Sequence, residues 1–162
     1  MAEALAEQVV RQVAQSSTLY HRLTLVVARA GAGKTRGLQE ARDRLGAPLV
    51  NVNLELSRRL LELTERQRAL QVPRLLDEIA SKADSAVVLL DNIEILFDVS
   101  LNQDPLRLLQ GISRNRTVVA AWNGSIEKGL LTYAAPGHPE YRKYPVEGFL
   151  VVGPDAPSQD PT

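Results

Sequence analysis

The segment Ala30-Gly31-Ala32-Gly33-Lys34-Thr35 follows directly on the apolar run Leu23-Thr24-Leu25-Val26-Val27-Ala28. An apolar strand that feeds a glycine-rich turn ending in Gly-Lys-Thr narrows the possible folds more than any other feature of the chain. Glycines at 31 and 33 let backbone N–H groups converge on a polyphosphate, and the helix that follows directs its positive end at the same point. In such a loop Lys34 reaches the β- and γ-phosphates and the Thr35 hydroxyl ligates Mg²⁺, while Ala30, Gly31, Ala32, Gly33 and Arg36 complete the cradle. The full pattern has glycine at position 28, where this chain has Ala28, so the match is one glycine short. A strand-to-helix turn that carries no ligand is the competing explanation.

At 162 residues the chain has the length of one domain, set at 1–152, with a core of useful size and no room for a substantial second domain. Nineteen basic residues balance 19 acidic ones, so global charge argues for neither nucleic acid nor membrane. Cysteine is absent, which excludes disulfides and thiolate metal sites. His21 and His138 are isolated in sequence. The N-terminus lacks the basic region and long apolar core of a signal peptide, and no apolar run approaches the roughly 20 residues of a membrane span. A cytoplasmic protein without membrane contact is expected.

Leu5, Val9 and Val13 recur at helical spacing and predict an amphipathic helix over 2–16 that docks on the protein's own sheet, with a partner as the alternative. Strand 23–28 and a helix over 33–45 flank the loop, and Gly46 closes that helix. Residues 48–54 have the pattern of a second strand. Helices over 56–69 and 73–83 follow, with a break before Pro73. The run 86–91 is apolar throughout until its terminal Asp91, as in a strand buried on both faces of a parallel sheet. A helix over 104–113 with Pro105 in its first turn, a strand over 116–122, a turn-rich stretch over 133–147 and a short strand over 149–152 complete the core. The proline-rich tail 153–162 is expected to be disordered. Alternating strands and helices predict an α/β domain, and ligands of such sheets bind at the carboxyl ends of the strands. The residues closing those strands are therefore candidates: Asn53 and Glu55, Asp91 to Glu94, and Asn123.

Val87-Val88-Leu89-Leu90-Asp91 has the form of a strand that delivers a carboxylate to a Mg²⁺ already held by Thr35 and phosphate. Hydrolytic P-loop proteins of the additional-strand class usually have Glu next, to orient the attacking water. This chain has Asn92, which cannot act as a general base, and Glu94 two residues further on. Either Glu94 or Glu55 serves, or nucleotide acts mainly as a switch. Asn123 has the type and place of a residue that senses the γ-phosphate, although Asn123-Gly124 also fits an ordinary turn. Arg114-Asn115-Arg116 lies at the opposite end of the sheet, as a contact for a partner or nucleic acid or as a solvated helix end. In Tyr141-Arg142-Lys143-Tyr144, Arg142 occupies the region where ring-forming ATPases keep an arginine that reaches a neighbour's site. Interleaved aromatic and cationic residues also suit base stacking.

Taken together, Gly-Ala-Gly-Lys-Thr, the stretch Asn-Leu-Glu-Leu-Ser-Arg-Arg-Leu-Leu-Glu-Leu (53–63), Val-Leu-Leu-Asp-Asn-Ile-Glu-Ile-Leu-Phe (88–97), Gln-Asp-Pro-Leu-Arg-Leu-Leu-Gln-Gly-Ile-Ser-Arg-Asn-Arg-Thr-Val-Val-Ala-Ala-Trp (103–122) and Gly-His-Pro-Glu-Tyr (137–141) resemble the BrxF family, small P-loop proteins of type 3 BREX phage-defence systems. The resemblance covers about residues 20–152. It implies an accessory NTPase that works with a DNA methyltransferase and other defence proteins against phage DNA. The expected fold is a three-layer α/β/α P-loop NTPase of the additional-strand type, with a five-stranded, mainly parallel sheet and no C-terminal lid domain. ATP and Mg²⁺ are the expected cofactors, Thr35 and Asp91 the metal ligands, and Glu94, Asn123 and Arg142 the catalytic group. A site this open predicts completion by a neighbouring subunit or a partner, hence a homo-oligomer or a docked complex, with any DNA contact made within a complex. A binding module with negligible hydrolysis and a small-molecule kinase are the alternatives.

Overall fold

In the computed structural model, which describes residues 4–82 and 84–154, five strands form a parallel sheet in the order β2-β3-β4-β1-β7. They are β1 (Leu23–Ala28), β2 (Leu49–Asn51), β3 (Val87–Asp91), β4 (Thr117–Glu127) and β7 (Leu150–Val152). Two further strands, β5 (Leu130–Tyr133) and β6 (Arg142–Pro145), make an antiparallel hairpin on the extension of β4. The expected tail begins at Gly153, and its residues 155–162 lie outside the described residues.

Strand alternation sorts the core into two layers. Leu23, Leu25 and Val27 of β1, Val88 and Leu90 of β3, and Val118, Ala120 and Trp122 of β4 face one side. There they meet α3 (Val52–Leu60), α4 (Glu65–Lys82) and α5 (Pro105–Ile112). Val26, Leu89, Val119 and Ala121 face the other side, against α1 (Leu5–Ser16) and α2 (Lys34–Leu45). Helix α1 does dock on the body: Ala6 and Val9 are buried, and its Leu5 meets α2 where Gly37 has no side chain.

Three expected boundaries differ. The second strand ends at Asn51, not at 54, because the Asn51 side chain accepts from the Leu54 N–H at 3.1 Å and caps α3. The break expected before Pro73 falls at 61–64 instead. Thr64 and Gln67 form a reciprocal capping box there, with Thr64 N–H donating to Gln67 Oε1 and Gln67 N–H to Thr64 Oγ1. Pro73 then sits inside α4. A proline removes the hydrogen bond to the carbonyl four residues earlier, and that carbonyl, Ala69, accepts from Gln103 Nε2 at 2.7 Å.

The third difference sets the site. Strand β4 runs through Asn123-Gly124 without turning, and the chain reverses at Lys128-Gly129, both of positive φ (52° and 77°). Gly124 serves close approach: a Cβ there would overlap the Thr132 carbonyl, which also accepts from Trp122 Nε1. Gly124→Ala is expected to destabilise the protein by about 1–3 kcal/mol through overpacking against backbone. A thermal midpoint equal to wild type would contradict that account.

Candidate nucleotide site

The carboxyl ends of β1, β3 and β4 lie side by side, with Ala28 in register with Asn123. Between β1 and α2 the chain turns through Gly31 and Gly33, whose φ of 81° and 91° are left-handed. An L side chain there would be strained, although nothing lies within 4 Å to obstruct it. Ala28 is the buried last residue of β1 and has no positive φ, so the missing glycine of the sequence pattern costs no conformational freedom.

Lys34, 7% exposed, opens α2 and folds back over the loop, donating to the Ala28 and Arg29 carbonyls at 2.8 and 2.7 Å. Burial lowers its pKa below the ordinary value, and the nearby carboxylates of Glu94 and Asp91 pull it upward. One residue on, the Thr35 hydroxyl donates to Asp91 Oδ2 at 2.6 Å, joining the loop to the end of β3. A cavity of about 500 Å³ opens over these groups, walled by Lys34, Thr35, Arg36, Asp91, Glu94 and Asn123 among others.

Glu94 is held by two amides. Asn123 Nδ2 donates to its Oε1 at 2.7 Å, and Asn53 Nδ2 to its Oε2 at 3.1 Å. Asn53 also accepts from the Ile95 N–H at 2.8 Å. Removing it with Asn53→Ala leaves that part-buried donor and one carboxylate oxygen unpaired. A loss of about 1–3 kcal/mol is expected, seen as a lower urea midpoint; an unchanged midpoint would mean that water replaces the amide at no cost. Asn92 takes a left-handed φ of 51°, with its N–H on Asp91 Oδ1 and its carbonyl accepting from the Asn53 N–H.

The structure therefore brings Ala30, Gly31, Gly33, Lys34, Thr35, Arg36, Asp91, Glu94 and Asn123 to one cavity. Ala32 turns its N–H back to the Arg29 carbonyl and is not part of that wall. Arg142 departs most from expectation. It lies on β6 opposite Tyr133, and its guanidinium donates to the Gln103 carbonyl at 2.8 Å. Its guanidinium is thus engaged within the chain, on a strand inside the stretch expected to be turn-rich. Glu55 pairs with Arg59 at 3.0 Å and lines a separate cavity beside β2, whereas Glu94 shares the Lys34 cavity with Asp91. What sequence alone did not connect is the Asn53–Glu94 contact, which spans 41 residues.

A second cavity of about 450 Å³ adjoins the first through Ala30 and Asn123, and His138 and Glu140 of the Gly-His-Pro-Glu-Tyr segment line it. The His138 ring is oriented by its Nδ1, which accepts from the Glu140 N–H at 3.0 Å. Tyr133 in the same wall has its pKa pushed up to about 12 by burial and by the Glu140 and Glu94 carboxylates.

No protein-family profile matches the chain, and no curated protein does. Among solved structures it is similar to that of C. elegans PCH-2, with a TM-score of 0.38 and 20% identity over 77% of this chain. The match spans 37% of the length of that chain. The strand order, with the loop between β1 and α2 and the acidic end of β3 beside it, decides the architecture. The fold is that of a P-loop NTPase.

Thr35 and Asp91 offer a hydroxyl and a carboxylate, oxygen donors suited to a hard divalent cation. Among the described residues no group of three or more His, Cys, Asp or Glu is arranged to hold a metal. The donor set fits Mg²⁺ of the kind that keeps several waters and takes further oxygens from a phosphate. No helix among the described residues is long and apolar enough to cross a membrane.

Proposed function

We propose that the chain binds ATP with Mg²⁺, hydrolyses it slowly, and acts in the bacterial cytoplasm as an accessory NTPase of a BREX-type phage-defence complex. The observation that carries the nucleotide reading is the contact between Thr35 Oγ1 and Asp91 Oδ2, 2.6 Å apart at the floor of the P-loop cavity. A hydroxyl and a carboxylate from two separate elements meet beside a lysine, where a divalent cation would join them to a phosphate. Bound there, ATP and Mg²⁺ would supply the phosphoryl group and its charge neutralisation. Lys34 would hold phosphate, Thr35 and Asp91 the metal, and Glu94 and Asn123 would orient water. The defence role rests on the likeness of the five sequence segments to the BrxF family.

Calorimetric titration with ATP tests the reading. Affinity is expected to fall at least tenfold when Mg²⁺ is removed by chelation, since the ion links Thr35 and Asp91 to the phosphates. Equal affinity with and without Mg²⁺ would remove Thr35 and Asp91 from the metal role. Partner proteins or a second copy would complete the open face of the site. With Arg142 held by Gln103, the completing cation would come from another residue.

A second reading, a nucleotide-dependent binding module with negligible turnover, is favoured by the state of Glu94. Both its oxygens accept from amides, so a water oriented by Glu94 would have to share oxygens already engaged by Asn53 and Asn123. Asn92, in the neighbouring position, offers no replacement. A phosphate-release assay with and without DNA and partner proteins separates the two, and absence of turnover under every condition selects the module.

A further inference from the structure

At the end of the sheet away from the nucleotide cavity, the segment 17–22 before β1 meets the segment 113–116 before β4. The Arg22 N–H donates to the Ser113 carbonyl at 3.1 Å, and the Arg22 guanidinium to the Arg114 carbonyl at 3.2 Å. These bonds fix the two loops to each other. The Arg114 guanidinium lies over the Tyr20 ring, 5.4 Å from its centroid, and His21 meets that ring edge-on at 4.7 Å. Tyr20 is nonetheless 73% exposed. We propose that this Tyr20–Arg22–Arg114 surface binds single-stranded nucleic acid, with a base stacked on the Tyr20 and Arg114 planes and phosphates against the two arginines.

Charge supports the assignment. Arg36, Arg44, Arg58, Arg59, Arg74 and Arg116 each face a carboxylate within the chain. Arg116 stands two residues from Arg114 yet turns inward to Asp77 and Ser81. Arg22 and Arg114 form no ion pair among the described residues, as also holds for Arg29, Arg66, Arg68 and Arg142, and of these only Arg114 lies over an exposed aromatic ring. An aromatic face with guanidinium groups beside it suits unpaired bases, because every base offers a π-face for stacking and the cations take the backbone. Duplex DNA hides those faces, and an acidic peptide would meet the charge but leave the ring unused. The surface stands apart from the P-loop, so the inference does not depend on the nucleotide reading.

Fluorescence polarisation of a labelled oligothymidylate of about 20 nucleotides, at about 50 mM salt, provides the test. Tyr20→Ala is expected to weaken binding about tenfold, and Tyr20→Phe, which keeps the ring, to stay within about twofold of wild type. Arg114→Ala should weaken binding and reduce the salt slope by about one. No polarisation change with wild type up to about 100 µM would overturn the proposal. So would equal binding by Tyr20→Ala, or displacement by duplex DNA or oligoglutamate as effective as by unlabelled oligothymidylate.

Discussion

Lys34→Ala is expected to weaken ATP binding by about 30-fold or more, the scale for losing a charge-assisted hydrogen bond. The wild-type ammonium is buried, donates to the Ala28 and Arg29 carbonyls, and stands near Glu94 and Asp91. Little of Lys34 is exposed, so a phosphate beside it would gain more from its charge than in open water. Calorimetry measures the loss directly. Because the mutation also frees two carbonyls, a thermal melt should accompany it; a folded variant with wild-type ATP affinity would defeat the P-loop assignment.

Glu94→Gln is expected to leave ATP affinity within about threefold and to lower turnover by about 10²-fold, the scale for losing a positioned base. Glutamine keeps the volume but turns one acceptor into a donor, which then meets the Nδ2 group of Asn53 or Asn123. Glu55→Gln serves as the comparison, since Glu55 is paired with Arg59 beside a different cavity. A large effect from Glu55→Gln with none from Glu94→Gln would reverse the choice of carboxylate. Steady-state phosphate release, measured where wild-type turnover is detectable, decides between them.

The parallel strands were legible because burial on both faces leaves a continuous apolar run, as in 87–91, and because Gly-Lys-Thr marks where β1 gives way to α2. The errors share a cause: local pattern competed with a side chain acting at short or long range. Val50, Val52 and Leu54 alternate like a strand, yet the Asn51 carboxamide between them caps a helix. The Thr64-x-x-Gln67 signature for a helix start was readable, but Pro73 drew the boundary to itself. That proline is accommodated by Gln103, 34 residues from the carbonyl it satisfies, which no local window contains. Asn123-Gly124 has the composition of a turn, but its glycine admits the Thr132 carbonyl, whereas the turn proper uses Lys128-Gly129. At the site, Lys34, Thr35 and Asp91 followed from spacing, because loop and strand end are each contiguous motifs. The Asn53–Glu94–Asn123 arrangement joins three elements and appears only once β2, β3 and β4 are set side by side. Arg142 was assigned from chain order alone, and strand pairing turns it to Gln103.

Trp122, the single tryptophan of the chain, precedes Asn123 on β4 and is fully buried. Phe97 and Tyr133 pack around it, and its indole N–H is tied to the Thr132 carbonyl of the hairpin. The protein therefore carries its own optical reporter, one peptide bond from the amide that grips Glu94. Its emission should be that of a dry indole in the native state and shift to the red when the hairpin lifts, so that opening of this corner can be followed by stopped flow without any label.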